Sequence, residues 1–213
     1  MGTANGEWRE SGRKSVFTRA AEPSGMDYAV LGWPEEGPTL RLDHERFSYA
    51  GKFVMSNTGK AIAFERGDGD SESDDRLDSG VLVAAVAFNE DRTDATTAWL
   101  RYVTVRADRR GEGVGARLAA FAAGRLRDRG YERVRIAVNN PFAFHALYKA
   151  GFGYTGETTG IAELVLERPG DRSTAAYQAG LDEYRDRDLS TEETAFLSAK
   201  DGEAPPSTVA SPE

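Results

Sequence analysis

The spacing of apolar residues changes character several times along this chain. Residues 81–88 (VLVAAVAF) form a continuous apolar run of strand length, the pattern of a strand buried on both faces. Residues 96–105 are rich in aromatic and β-branched side chains and read as a second strand. The short polar stretch 89–94 between them makes a hairpin and an antiparallel pair. From Gly113 onward the period becomes helical: Val114, Leu118, Phe121, Ala122 and Leu126 share one stripe, with the arginines and Asp128 elsewhere, until Gly130 ends the helix. Residues 131–138 return to a period of two, with Val134, Ile136 and Val138 alternating against Arg133 and Arg135. Asn140 followed by Pro141 is an N-cap with proline in the first turn, opening a helix that closes on Gly151. Residues 161–167 read as the last strand, and Pro169–Gly170 marks a boundary.

The flanks are less regular. Residues 28–33 read as a first strand stopped by Pro34, followed by a turn at 35–38. Residues 39–43 suit a short strand, while 44–53 fit helix or strand equally. A hairpin turn at 56–59 leads into an extended stretch to residue 65. Beyond the boundary, Tyr177, Leu181 and Tyr184 recur at helical spacing within 174–187, and Ser190 with Glu193 forms a capping box for a last short helix. The expected organisation is a mobile tail over 1–25, one domain over 26–169, a helical extension over 170–200 and a disordered tail over 201–213. The element order strand, strand, helix, strand, helix, strand makes the domain α+β with a mixed sheet.

Composition narrows the function. At 213 residues with 39% hydrophobic and 29% charged, the chain suffices for one domain with a full core. The net charge of −8 argues against a nucleic-acid partner, which wants a basic face. No apolar run approaches the roughly 18 residues that span a bilayer, and the first residues lack the apolar segment of a signal peptide. There is no cysteine, so disulfides, thiol nucleophiles and cysteine metal sites are excluded. The cytoplasm is the expected location, with no membrane partner. Lysine is confined to Lys14, Lys52, Lys60, Lys149 and Lys200. An acidic, lysine-poor surface suits either a high-salt cytosol or a GC-rich genome.

Candidate chemistry concentrates at 98–115 (AWLRYVTVRADRRGEGVG). A strand ends in a basic turn, three glycines alternate at Gly111, Gly113 and Gly115, and a helix begins. Such a turn leaves backbone N–H groups uncovered beside a helix N-terminus, a seat for phosphate or pyrophosphate, and Arg109 and Arg110 place positive charge beside it. Gly111-x-Gly113-x-x-Ala116 also fits a relaxed dinucleotide fingerprint. Five residues separate its first glycine from the strand, however, and Asn139–Asn140 stand where an acidic ribose partner should close the next strand. Gly59–Lys60 is no P-loop, since Val54 replaces its first glycine and Ala61 its Ser/Thr. The acidic stretch 67–79 is no calcium loop, with Ser73 and Ser79 at its sixth and twelfth positions.

Arg110-Gly-Glu-Gly113-Val-Gly115 matches the Arg/Gln-x-x-Gly-x-Gly/Ala signature of the GNAT (GCN5-related) N-acetyltransferases, and Val103-Thr-Val105 resembles that family's splayed fourth strand. The stretch from Asn139–Asn140 to Tyr148-Lys-Ala-Gly151-Phe152, about thirty residues on, is similar to the second signature. The resemblance covers about residues 28–168. It implies a GNAT-like fold, with a mixed central sheet flanked by helices and splayed at the cofactor site. It also implies an acyltransferase that moves acetyl from acetyl-CoA, as co-substrate and without a metal, to a small-molecule or peptide amine. Backbone N–H groups of Arg110, Gly111, Glu112, Gly113, Val114 and Gly115 would hold the pyrophosphate. Val103 and Val105 would hydrogen-bond the pantetheine arm through their main chain. Asn139 and Asn140 would bind the arm or cap the helix, and Tyr148 would protonate the departing thiolate. Many relatives carry a basic glutamate on the fourth strand; here Arg101 stands at that place. Water, Glu163, His145 or Glu90 are the substitutes, and Arg101 either faces the cleft or is a strand charge. The family's two helices after the first strand are not evident in residues 28–60. The alternative reading is an acyl-CoA-binding regulatory module without catalysis. The C-terminal helices either pack on the domain or form a homodimer contact.

Overall fold

The computed structural model of the protein describes residues 20–21, 25–65, 76–77 and 80–212. Most of the expected tail at 1–25 and of the acidic loop at 67–79 lies outside the described residues. Seven strands form the main sheet: β1 (Met26–Gly32), β2 (Gly59–Glu65), β3 (Gly80–Glu90), β4 (Thr97–Val105), β5 (Arg133–Val138), β6 (Gly153–Thr158) and β7 (Leu164–Arg168). Their spatial order is β1-β2-β3-β4-β5-β7-β6, with two-residue strands at Ala20–Ala21 beside β1 and Arg76–Leu77 against β3. Four helices accompany it: α1 (Val114–Asp128), α2 (Pro141–Lys149), α3 (Thr174–Arg185) and α4 (Thr191–Ala199). Among the described residues none is long and apolar enough to cross a membrane.

The expected elements from β3 to α2 form within a few residues of their predicted ends. β6 was not anticipated: its sequence GYTGET has two glycines and no apolar alternation, so it lacks a strand's usual signal. Neither strand nor α-helix forms at 39–53, which holds a single 3-10 turn at Ala50–Lys52. Leu40, Phe47 and Phe53 from this cover instead plug into Ile62, Phe64, Leu82, Ala85 and Ala87 on one face of the sheet. The cover is anchored by Lys60, a fully buried side chain on β2. Its Nζ lies 2.7–2.8 Å from the carbonyls of Pro38, Met55 and Thr58 and from Thr58 Oγ1. Burial pushes this ammonium down to about 8.

The opposite face carries the main core, where α1 covers β3, β4 and β5 and α2 packs against α1. α3 and α4 extend that core. Phe144 of α2 sits at its centre, with ring centroids of Tyr148, Tyr154, Tyr177 and Tyr184 at 5.0–6.0 Å. The C-terminal helices therefore pack on the domain. Residues 201–212, expected to be disordered, instead lie against it. The Val209 N–H donates to the Lys149 carbonyl at 2.8 Å, and Arg172 reaches the Pro206 carbonyl at 2.8 Å. The apolar Val209 and paired carbonyls outweigh the Pro- and Ser-rich composition on which that expectation rested.

Candidate active site

One join in the sheet is incomplete. β4 and β5, the one parallel pair among the described strands, are registered only from Thr97 with Arg133 to Leu100 with Ile136. Beyond that point β4 continues to Val105 and β5 to Val138, and the two part. β4 keeps its partner on the other side, β3, as far as Val105 opposite Ala84. The Arg106 N–H donates to the Val83 carbonyl at 2.8 Å. In an antiparallel ladder this makes Val105–Ala84 a non-hydrogen-bonded pair. The main-chain groups of Val105 and Val103 therefore point away from β3, into the opening. This is the splayed strand that the sequence resemblance implied, with its edge presented for a ligand.

The glycine turn closes the wide end of the opening. Gly111 and Gly113 have φ of 86° and 78°, left-handed values that favour glycine. A Cβ on Gly115 would lie 3.1 Å from Val105 Cγ2, so the helix start sits directly on the end of β4. The first intrahelical bond runs from the Arg117 N–H to the Gly113 carbonyl. Among the described residues the N–H groups of Gly113, Val114, Gly115 and Ala116 have no hydrogen-bond acceptor. Four free donors at a helix N-terminus match a phosphate or pyrophosphate group.

The two turn arginines divide their roles. Arg110 is exposed, donates from Nε to the Val105 carbonyl at 3.3 Å and from Nη2 to Ser48 Oγ at 2.9 Å, and so fixes the turn. Arg109, expected to add positive charge beside the phosphate seat, pairs with Glu112 at 2.9 Å and Glu65 at 2.6 Å. Those hydrogen bonds, Glu112's foremost, hold its guanidinium still more firmly protonated.

On the far side of the opening the strand end is tied down. The Val138 carbonyl accepts the Tyr184 hydroxyl at 3.1 Å, so α3 reaches the wall of the candidate site. The helical spacing of Tyr184 does not reveal this contact. Asn140 Oδ1 accepts the Ala143 N–H at 2.8 Å and caps α2. Asn139 is exposed beside it.

The expected acid Tyr148 does not reach the opening. Its side chain is 0% exposed, and its hydroxyl accepts the Tyr154 N–H at 3.0 Å. Burial pushes its phenol up to about 12. Phe144 and Tyr148, four residues apart on α2, share the core stripe, so the helix phase turns the phenol inward. Of the proposed bases, Glu90 sits opposite Ala98 near the start of β4 and accepts the Tyr131 hydroxyl. His145 Nδ1 lies 2.7 Å from the Tyr177 hydroxyl under α3, and burial above all pushes it down to about 4. Glu163 immediately precedes Leu164, the register partner of Val138, on the strand that pairs with the edge of β5 away from β4. Among the described residues no three His, Asp or Glu side chains cluster to hold a metal ion.

A family description, acetyltransferase (GNAT) family, matches residues 26–154. The chain belongs to that family. Among solved structures, nourseothricin acetyltransferase is 22% identical over 52% of this chain and 64% of its own, with a TM-score of 0.41. The PaiA N-acetyltransferase of Thermoplasma acidophilum, in complex with coenzyme A, is 21% identical over 51% and 58%, with a TM-score of 0.38. YncA from Salmonella typhimurium, with its cofactor acetyl-CoA, is 15% identical over 52% and 63%, with a TM-score of 0.40. The chain thus spans less than two thirds of each of these proteins. No curated protein matches it.

Proposed function

We propose that this protein is an acetyl-CoA-dependent N-acetyltransferase that passes the acetyl group directly to a primary amine. The observation that carries the reading is the parting of β4 from β5 beyond Leu100 and Ile136, beside four unpartnered N–H groups at the start of α1. The pyrophosphate of acetyl-CoA would rest on the N–H groups of 113–116. Its arm would run along β4 and pair with the main chain of Val105 and Val103, as an added strand does. The thioester then lies at the narrow end of the opening, near Leu100 and Arg101.

There the lone pair of a neutral amine attacks the thioester carbonyl carbon. The tetrahedral intermediate collapses, the C–S bond breaks and sulfur leaves as thiolate. One proton leaves nitrogen and one reaches sulfur, so the products are an N-acetylated amine and CoA. The amine proton would pass to water at the narrow end of the opening. With Tyr148 inside the core, the proton for sulfur comes from solvent.

Isothermal titration with acetyl-CoA, CoA and NAD+, at low and molar KCl, tests this reading. Acetyl-CoA should bind, and Gly113→Glu should abolish binding by placing a carboxylate in the phosphate seat. Binding of NAD+ instead, or of neither CoA compound at any salt, would overturn it. Turnover of an amine, rather than the effect of Tyr148→Phe, separates an enzyme from a regulatory acyl-CoA binder.

A further inference from the structure

At the point where β4 leaves β5, β4 carries an extra residue. Ala87 is opposite Tyr102 while Phe88 is opposite Leu100, so Arg101 is the extra residue of a β-bulge. Ala98 and Leu100 face the helical core. The Arg101 side chain lies on the other face, where its Nε donates to Asn89 Oδ1 at 2.6 Å and its guanidinium carbon is 5.1 Å from the Trp99 ring centroid. Trp99 is itself fixed, its indole N–H donating to Asp91 Oδ2 at 2.5 Å. An amide and an indole thus hold an exposed arginine in a set direction at the narrow end of the opening.

This arginine differs from its neighbours. Arg109, Arg133 and Arg135 are paired with carboxylates of Glu65 and Glu112, of Asp94, and of Glu157 and Glu167. Arg101 is held by the neutral Asn89. Asp91, the carboxylate whose charge acts on it, is engaged by Thr93 and Trp99. Among the described residues its two terminal nitrogens have no hydrogen-bond partner. With Nε taken, the free edge is the Nη1–Nη2 fork, which matches the two oxygens of a carboxylate. A second cation lies on the same side: Lys52 Nζ is 5.8 Å from the ring of Tyr102, the next residue along β4. Two cations thus stand on this side of β4, in a chain whose net charge is −8.

Position completes the argument. Four strand residues, about 13 Å, separate Val105 at the phosphate seat from Arg101, comparable with an extended pantetheine arm. An acceptor must reach the thioester from the face that arm does not fill, and there it meets Arg101. We infer that Arg101 selects an acceptor that carries a carboxylate close to its reactive amine, with an amino acid as the simplest member of the class. The inference rests on the acetyl-transfer reading given above.

The test is acetylation kinetics with matched pairs: the L-amino acids, β-alanine and γ-aminobutyrate, each beside its carboxamide. Wild type should favour the acid of the preferred pair. Arg101→Gln should lower kcat/KM for that acid by about 10–100-fold, the effect of losing a charge-assisted pair. Turnover of the carboxamide and acetyl-CoA affinity should not change, and Arg101→Lys, which keeps the charge without the fork, should fall between. Equal or better use of carboxamides by wild type would overturn the inference. So would an equal loss on both members of a pair, or the absence of turnover with every acid although acetyl-CoA binds. If acetyl-CoA itself does not bind, the acetyl-transfer reading fails first.

Discussion

Two segments outside the signature region cover this sheet, one on each face, and they are held by different forces. Residues 33–58 bury three large side chains on this face, Leu40, Phe47 and Phe53, with Leu42 partly buried beside them. Their shape depends on one buried ammonium at the centre of four oxygens. Residues 170–212 bring Tyr177, Leu181, Tyr184 and Leu197 onto α2 and β6 and join a continuous set of aromatic rings. A polar cage gives a loop one geometry but fails as a unit when its centre is lost. An aromatic stack spreads its stabilisation over many contacts and yields gradually. Both covers touch the candidate site, the first through Tyr49, which is 55% exposed, and Lys52 beside Tyr102, and the second through Tyr184 on Val138.

The contrast is broken most severely at Lys60. Lys60→Met fills the volume but leaves three carbonyls and a hydroxyl without their donor. The expected loss is about 3–5 kcal/mol, as for other buried charged groups removed from their partners. Chemical denaturation measures it. Because the loop bearing Tyr49 and Lys52 is released, KM for the amine should rise more than the dissociation constant of acetyl-CoA. A loss below about 1 kcal/mol would show that the loop is held by Phe47 and Phe53 alone.

Acid should act on the other cover. His145 lies within the aromatic set, 5.5 Å from the Phe196 ring and hydrogen-bonded to Tyr177. Burial holds its imidazole at about 4, against an ordinary value of 6.5. Between those values the unfolded chain binds a proton that the folded chain refuses, so stability falls as pH falls from 6.5 toward 4. The effect is moderate because the ring is only partly buried. Melting temperatures between pH 7 and 4.5 should decline less in His145→Gln than in wild type. Equal slopes would remove His145 as the cause.

The turns and caps around the opening are legible in the sequence for a local reason. Gly111, Gly113 and Gly115 announce a turn by their spacing, and the Asn140 cap and the Ser190–Glu193 box are contacts across three residues. What stayed hidden depends on distant contacts. Lys60 meets Pro38 across 22 residues, and Tyr184 meets Val138 across 46. The bulge at Arg101 exists only through register with β3. Tyr148 is a different case: its inward direction follows from its spacing to Phe144 on α2.

That residue supplies the smallest and sharpest comparison with Lys60. Tyr148→Phe removes a buried hydroxyl and leaves the Tyr154 N–H without its acceptor, yet the ring keeps its contacts with Phe144 and Tyr177. The expected loss is about 1–3 kcal/mol, the cost of leaving one buried donor unsatisfied, against about 3–5 kcal/mol for the lysine. Since the phenol does not face the opening, kcat for the acetylated amine and its pH profile should match wild type. A fall of tenfold or more in kcat with unchanged acetyl-CoA binding would return Tyr148 to the reaction, and would require α2 to turn when the ligand enters. Unchanged kcat with a measurable loss of stability would leave this tyrosine as part of the aromatic cover.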